Sequence, residues 1–260
     1  MSVRLTIHNV GHGQCISLVH ENGNVMLWDC GHSDLAKPSE FLPRAGIRTI
    51  NRFFVTNYDE DHISDLPSLR ARLNIEVLHS NSSINSQQLR YLKLQSGPLT
   101  NAMVSMIEML DGYNGGPPLI PPAFPDVDFR CYFNKYGLIF YDTNNLSLVT
   151  FLVCRGVTFL IPGDLEHPGW ISLLQNQNFV SDLRSVNILI ASHHGRENGY
   201  CREVFDYCSP SVIVFSDSPI KHATQGMANT YARHASGVQF NGVLRSVLST
   251  RNDGTFWWDL

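Results

Sequence analysis

The sequence predicts an α/β (α+β) protein in which two mixed β-sheets pack face to face and helices cover their outer faces. Three observations carry this. Short apolar runs recur along the whole chain, as strands do. Some are joined by tight turn signals, notably Arg155-Gly156 and Asn252-Asp253-Gly254. Segments with helical spacing lie between those runs, which favours a sheet-on-sheet core with outer helices. With 260 residues, 43% of them apolar, the chain has ample material for a core, as one large domain or two small ones.

Taken in order, residues 3–10 and 15–20 read as strands joined by Gly11-His12-Gly13-Gln14. Val25-Met26-Leu27-Trp28 is a third strand, ending at Asp29-Cys30-Gly31, and Arg52 to Thr56 is a fourth. Leu66, Leu69 and Leu73 predict a helix over 63–73, followed by a short strand from Ile75 to Leu78 that ends at His79. Residues 80–97 are rich in Ser, Asn and Gln. Pro98 to Leu110 fits an amphipathic helix with Pro near its start. Pro117-Pro118, Pro121-Pro122 and Pro125 make 111–126 a loop. Residues 80–126 together read as an insertion beside the site, either a lid or contact surface for a protein partner, or an ordinary connection. Strands are expected again at 127–133, 138–141, 147–154, 157–162, 186–191, 211–215, 243–249 and 254–258. Helices are expected after Asp164, near 199–207 and near 223–235. The last two strands read as a hairpin around Asn252-Asp253-Gly254.

Composition narrows the function classes. The net charge is −4 and there is no basic run, so a broad electrostatic footprint for nucleic acid is unsupported. No stretch approaches the length of a membrane span, and the N-terminus alternates like a strand and lacks the apolar core of a signal peptide. The six cysteines form no CxxC pair, and most lie in strand-like runs. They read as structural thiols of a reduced, cytoplasmic protein.

The chemistry sits at three strand ends. Thr56-Asn57-Tyr58-Asp59-Glu60-Asp61-His62, Gly163-Asp164 and His193-His194-Gly195 each follow an apolar strand. Carboxylates and imidazoles so placed can converge at one sheet edge and suit Zn²⁺ or Mn²⁺. Each segment also has a plain alternative: Asp61 or Asp164 could cap a helix, and a His pair alone is weak evidence.

These motifs, in order, resemble the metallo-β-lactamase superfamily, and within it the ComEC-type competence nuclease domain and its soluble hydrolase relatives. Val10-Gly11-His12-Gly13-Gln14 resembles the VGQGD opening, and Leu27-Trp28-Asp29-Cys30-Gly31 the LIDxG strand end. Thr56 to His62 is similar to THxDxDH except at Asn57. Asn144-Asn145-Leu146-Ser147-Leu148-Val149 is similar to NNxSLV, and the GD, HHG and closing DG motifs follow. The resemblance covers nearly the whole chain and implies a single metallo-β-lactamase-like αββα sandwich over 1–260. It implies one or two divalent ions, Zn or Mn. Asp61, His62, Asp164 and one of His193 and His194 would hold the first; Asn57, Asp59 and Asp164 would hold the second. Asp29 and Asn145 would orient ligands.

The implied activity is metal-dependent hydrolysis, with a phosphodiester or nucleotide as substrate and Asp61, Lys221 and His222 taking part. The alternatives are an esterase or lactonase on the same scaffold, or a non-catalytic metal- or ligand-binding module with a protein partner. Asn57 is the departure on which these alternatives turn, because an amide oxygen is a weak, neutral ligand. Arg196, next to the HHG motif, and His79, at a strand end, are further residues that could approach the site.

Overall fold

The computed structural model describes residues 2–34, 36–113, 119–218 and 224–260. The strands that build the two main sheets are, in chain order, β1 (Arg4–Ile7), β2 (Ile16–Val19), β3 (Val25–Trp28), β4 (Arg52–Phe54), β5 (Leu78–His79), β6 (Val127–Tyr132), β7 (Val149–Cys154), β8 (Val157–Ile161), β9 (Ile188–Ile190), β10 (Val212–Phe215), β11 (Val247–Ser249) and β12 (Phe256–Asp259). The helices that matter here are α1 (Pro38–Arg44), α2 (Glu60–Ile63), α3 (Leu66–Arg72), α4 (Ser86–Leu94), α5 (Asn101–Gly112), α6 (His167–Leu173), α7 (Gln177–Leu183) and α8 (Ala228–Ala232). One six-stranded sheet has the order β12-β1-β2-β3-β4-β5, and the other β11-β10-β9-β8-β7-β6.

Period-2 alternation explains the layering. In β3 and β4, Met26, Trp28 and Phe54 point into the space between the sheets, while Leu27 and Phe53 point outward to the helices. In β8 and β9, Phe159, Ile161, Ile188 and Ile190 point inward, and Leu160 and Leu189 outward. Both faces of these strands are covered, so they read as continuous apolar runs. The outer face of the first sheet buries Leu66 and Leu69 of α3 and Met103 and Met106 of α5. The outer face of the second buries Trp170, Phe179, Leu183 and Tyr231 of α6, α7 and α8. This is the αββα sandwich, two mixed sheets with outer helices, that the sequence predicts.

The pairs β3–β4 and β8–β9 are both parallel, with Trp28 opposite Phe54 and Phe159 opposite Ile188. Their carboxyl ends carry Asp29, the Thr56–His62 loop, Asp164 and the histidine pair. Side chains from both sheets therefore meet at one edge, where open α/β sheets place their sites.

Several local expectations need correction. The helix expected over 63–73 forms as α3 and is shorter, Leu66–Arg72, because Ile63 closes the separate turn α2. Asp65 turns its carboxylate to Ser39, accepting from its amide at 2.6 Å and its hydroxyl at 3.0 Å, and Pro67 starts the second helix. The strand expected at 138–141 is reduced to a single bridge between Tyr136 and Phe140. The segment near 199–207 forms only a 3₁₀ turn, Arg202–Asp206. Residues 80–97 contain α4, whose start is a capping box: Asn85 accepts from the Gln88 amide and Gln88 from the Asn85 amide.

The closing hairpin does not form. Val243–Arg245 pairs with Val238–Phe240, β11 pairs with β10, and β12 pairs with β1 in the other sheet. Asn252 and Asp253 lie in a short helical turn whose N-cap, Ser249, accepts from the Asn252 amide. The Asp253 carboxylate accepts from the Ser249 amide at 2.8 Å, which fixes the crossover between sheets. All six cysteines are free thiols. Among the described residues, no helix is long and apolar enough to cross a membrane.

Candidate metal centre

The site is built from the inside outward. Strand β3 ends at Asp29, fully buried and in the left-handed region at φ 59°. One carboxylate oxygen accepts from the Thr56 amide at 2.7 Å. The other accepts from Gln14 Nε2 at 2.8 Å, from His62 Nδ1 at 2.7 Å and from the Thr56 hydroxyl. Asp29 thus ties the opening motif, the strand β4 exit and α2 together. Backbone packing does the same. Gln14 and Cys30 donate their amides to the carbonyls of Asp61 (3.2 Å) and His62 (2.7 Å). A Cβ on Gly31 would lie 2.0 Å from the Asp61 carbonyl oxygen, and one on Gly13 2.5 Å from it. The glycines of both motifs are there because the α2 loop passes against bare backbone.

Four side chains converge above this floor. Asp61 and His62 come from α2, Asp164 follows β8, and His194 follows β9; one donor atom from each lies within 4.8 Å of all the others. His62 Nε2 is 2.9 Å from Asp164 Oδ1, and His194 Nε2 is 3.2 Å from Asp61 Oδ2 and 3.6 Å from Asp164 Oδ1. The opposite ring nitrogens are anchored: His62 Nδ1 on Asp29, and His194 Nδ1 on the Ser216 carbonyl at 2.7 Å. Those anchors assign the Nδ1 protons and aim Nε2 inward. His62 Nε2, Asp164 Oδ1 and His194 Nε2 are buried and face only one another and Asp61, none of them in a well-formed hydrogen bond. Buried orphan atoms are costly. Three pointing at one another, with the rings oriented from behind, fit a divalent cation bound by nitrogen and oxygen.

The charges agree with that fit. Burial opposes ionisation of Asp164, but the charges of His62 and His194 outweigh it and pull its pKa down to about 2. Asp61 is half-buried and is held below the ordinary carboxylate range by its contact with His194 and the charges of His62 and His194. Burial lowers the His62 pKa, but Asp164 and Asp29 overcome it and raise it well above the ordinary histidine value. Without a cation, protons on the histidines compensate the carboxylates.

The histidine pair divides its roles. His193 and His194 have φ of 52° and 55°, two consecutive left-handed residues held by Gly195 at φ 80°. Such strain costs on the order of 1–3 kcal/mol per residue and clusters at functional sites. It turns His194 into the cluster and His193 toward Arg196 Nη1 (2.9 Å) and Glu166 (3.5 Å).

Asn57 and Asp59 do not join the cluster. The Asn57 oxygen accepts from the amides of Tyr58 (2.5 Å) and Asp59 (3.2 Å), and its Nδ2 donates to Asn144 Oδ1 at 2.9 Å. Asp59 is ion-paired with Lys93 of α4 and accepts from Thr143 Oγ1 at 3.0 Å. Asn145 accepts from the Gly169 amide at 2.9 Å and donates to Asp142, so it anchors α6. His79 stacks on Phe54 at 4.4 Å, between Arg52 and Phe129. Lys221 and His222 lie outside the described residues. Asp164 caps no helix, because α6 starts at His167 with Glu166 as its N-cap.

Three residues at the site were not among the expected ligands or catalytic residues. They are Lys93, Glu166 and His12, whose Nε2 lies 3.4 Å from Asp61 and 3.2 Å from Arg196. The cluster opens into a cavity of about 670 Å³. Asp61, Asp164 and His193 of the strand ends line it together with Lys93, Thr100 and Met103.

No protein-family model matches the sequence. No curated protein matches it either. Solved structures match its fold. CmlA, a diiron β-hydroxylase from Streptomyces venezuelae, aligns over all of this chain at 12% identity with a TM-score of 0.56. This chain spans about half of CmlA, 54% of its length. Igni18, a metallo hydrolase from the hyperthermophilic archaeon Ignicoccus hospitalis, aligns over 99% of both chains at 13% identity with a TM-score of 0.51. The sandwich is therefore one that known metal-dependent enzymes share, and here its sheet edge carries a four-residue candidate metal site.

Proposed function

We propose that this chain is a metal-dependent hydrolase acting on an anionic ester, with a phosphodiester as the favoured substrate class. The observation that carries this is the convergence of the inward-facing donor atoms of Asp61, His62, Asp164 and His194, two of which, Asp61 and Asp164, line an open cavity. A divalent ion held there would supply Lewis acidity and an activated water. The remaining residues do the positioning. Asp29 and the Ser216 carbonyl hold the two imidazoles in the orientation a ligand needs. Arg196 supports the phosphoester class: its Nη atoms rest on the ring nitrogens of His193 and His12, so it brings positive charge to the cavity wall without a carboxylate in those contacts. A guanidinium suits the paired oxygens of a phosphate.

The test is hydrolysis of a bis-aryl phosphate, an aryl ester and a lactone by protein loaded with Mn²⁺ or Zn²⁺. We expect turnover of the phosphate diester that Asp164→Asn abolishes. Preferential turnover of the ester or lactone would overturn the phosphoester assignment. No turnover of any substrate by metal-loaded protein would favour a binding module.

A further inference from the structure

We infer that Lys93 stands where a second metal ion would otherwise be held, so that the chain takes one divalent ion and presents a fixed ammonium beside it for the anionic group of the substrate. The inference rests on the metal-dependent reading above and deepens it. By the resemblance, a second ion would be held by Asn57, Asp59 and Asp164, and the structure closes two of these three positions to it. Asn57 is fully buried and occupied at both ends, its oxygen closing the Tyr58–Asp59 turn and its nitrogen on Asn144. This is the local hydrogen bonding that Asn uses to make turns. The chain behind it is also closed: Asn144 Nδ2 donates to Glu166 Oε1 at 2.9 Å, and Asn198 donates to the same oxygen at 2.7 Å. Asp59 is neutralised by the Lys93 ammonium, whose side chain is only 16% exposed. A divalent ion on Asp59 would have to displace that ammonium, since like charges on one carboxylate repel.

Lys93 is placed by the architecture. It lies in the last turn of α4, which is started by the Asn85–Gln88 capping box and packed on the first sheet's outer layer through Leu89. The segment 80–126 is therefore more than a connection, because it delivers a cation to the wall of the cavity that Arg196 also lines. An ammonium has three donors. Asp59 takes one and Thr143 Oγ1 lies 3.4 Å away, which leaves a donor for a substrate oxygen on the cavity side.

The experiment is elemental analysis of the full chain re-equilibrated with excess Zn²⁺ or Mn²⁺ and desalted, alongside titration with inorganic phosphate. We expect one ion per wild-type chain, one in Lys93→Arg, and two in the double variant Asn57→His/Lys93→Ala, which restores a ligand and removes the competing charge. Phosphate should bind about tenfold or more weakly to Lys93→Gln than to wild type, and within about threefold of wild type to Lys93→Arg. Two ions in the wild type would overturn the inference and leave the hydrolase proposal standing. No ion in the wild type would overturn both. Wild-type phosphate affinity in folded Lys93→Gln would remove the substrate role of the ammonium. The wild-type stoichiometry needs no variant to fold.

Discussion

Asp29→Asn should weaken metal binding more than it weakens the fold. The wild-type carboxylate only accepts, and it faces four donors: the Thr56 amide and hydroxyl, Gln14 Nε2 and His62 Nδ1. An amide keeps one acceptor oxygen and turns an NH₂ toward the rest. If the NH₂ faces His62, the ring must shift its proton from Nδ1 to Nε2, and the nitrogen aimed at the metal loses its lone pair. If the oxygen faces His62, the NH₂ meets the Thr56 amide at the 2.7 Å contact and that bond is lost. Residues that orient metal-ligating histidines are worth about 10–100-fold in affinity, or about 1.4–2.8 kcal/mol. One broken hydrogen bond to a buried charge adds about 1.5–3 kcal/mol to the cost in fold stability. Competition with a chromophoric chelator measures the first quantity, and urea unfolding of metal-free protein measures the second. A Zn²⁺ affinity within about twofold of wild type would refute the tautomer argument.

Three further outcomes are expected. Gly31→Ala places a Cβ 2.0 Å from the Asp61 carbonyl oxygen; it should cost about 3 kcal/mol or more in urea unfolding and reduce metal uptake, and a neutral result would mean the α2 loop can move aside. Metal uptake near neutral pH should release protons into weak buffer, because His62, raised by Asp164 and Asp29 against its burial, still holds its Nε2 proton there; uptake without release would contradict that protonation. His8, whose pKa burial depresses to about 4, packs against Phe41 and hydrogen-bonds Ser17. A folded pKa below the unfolded value means that the unfolded chain binds the proton first. Stability is therefore complete above about pH 6.5 and falls by about 3 kcal/mol as pH drops toward 4; an unchanged acid limb in His8→Phe would show that His8 is not its source.

The parts of the site that were legible in the sequence are those written locally. Asp29, Asp61, His62, Asp164 and the histidine pair each follow a strand whose apolar run is visible, and the glycines beside them mark close backbone approach. Choosing between His193 and His194 needed the left-handed turn, which depends on Gly195 and on the Ser216 carbonyl across the sheet. Lys93 was hidden because α4 is polar and short; its signals were the Asn85–Gln88 capping box and the spacing of Leu89 and Leu92, in a segment whose composition reads as loop. The closing turn failed for the opposite reason. Asn252-Asp253-Gly254 is a good hairpin sequence, but β11 and β12 find their partners in different sheets, and local turn chemistry carries no information about that.

The most direct test of the metal centre is anomalous diffraction from crystals grown with Zn²⁺ or Mn²⁺. A single strong peak is expected within bonding distance of His62 Nε2, His194 Nε2, Asp164 and Asp61. A peak only at His167, Cys201 and Glu203, a second group among the described residues whose side chains could hold an ion, or no peak at all, would contradict it.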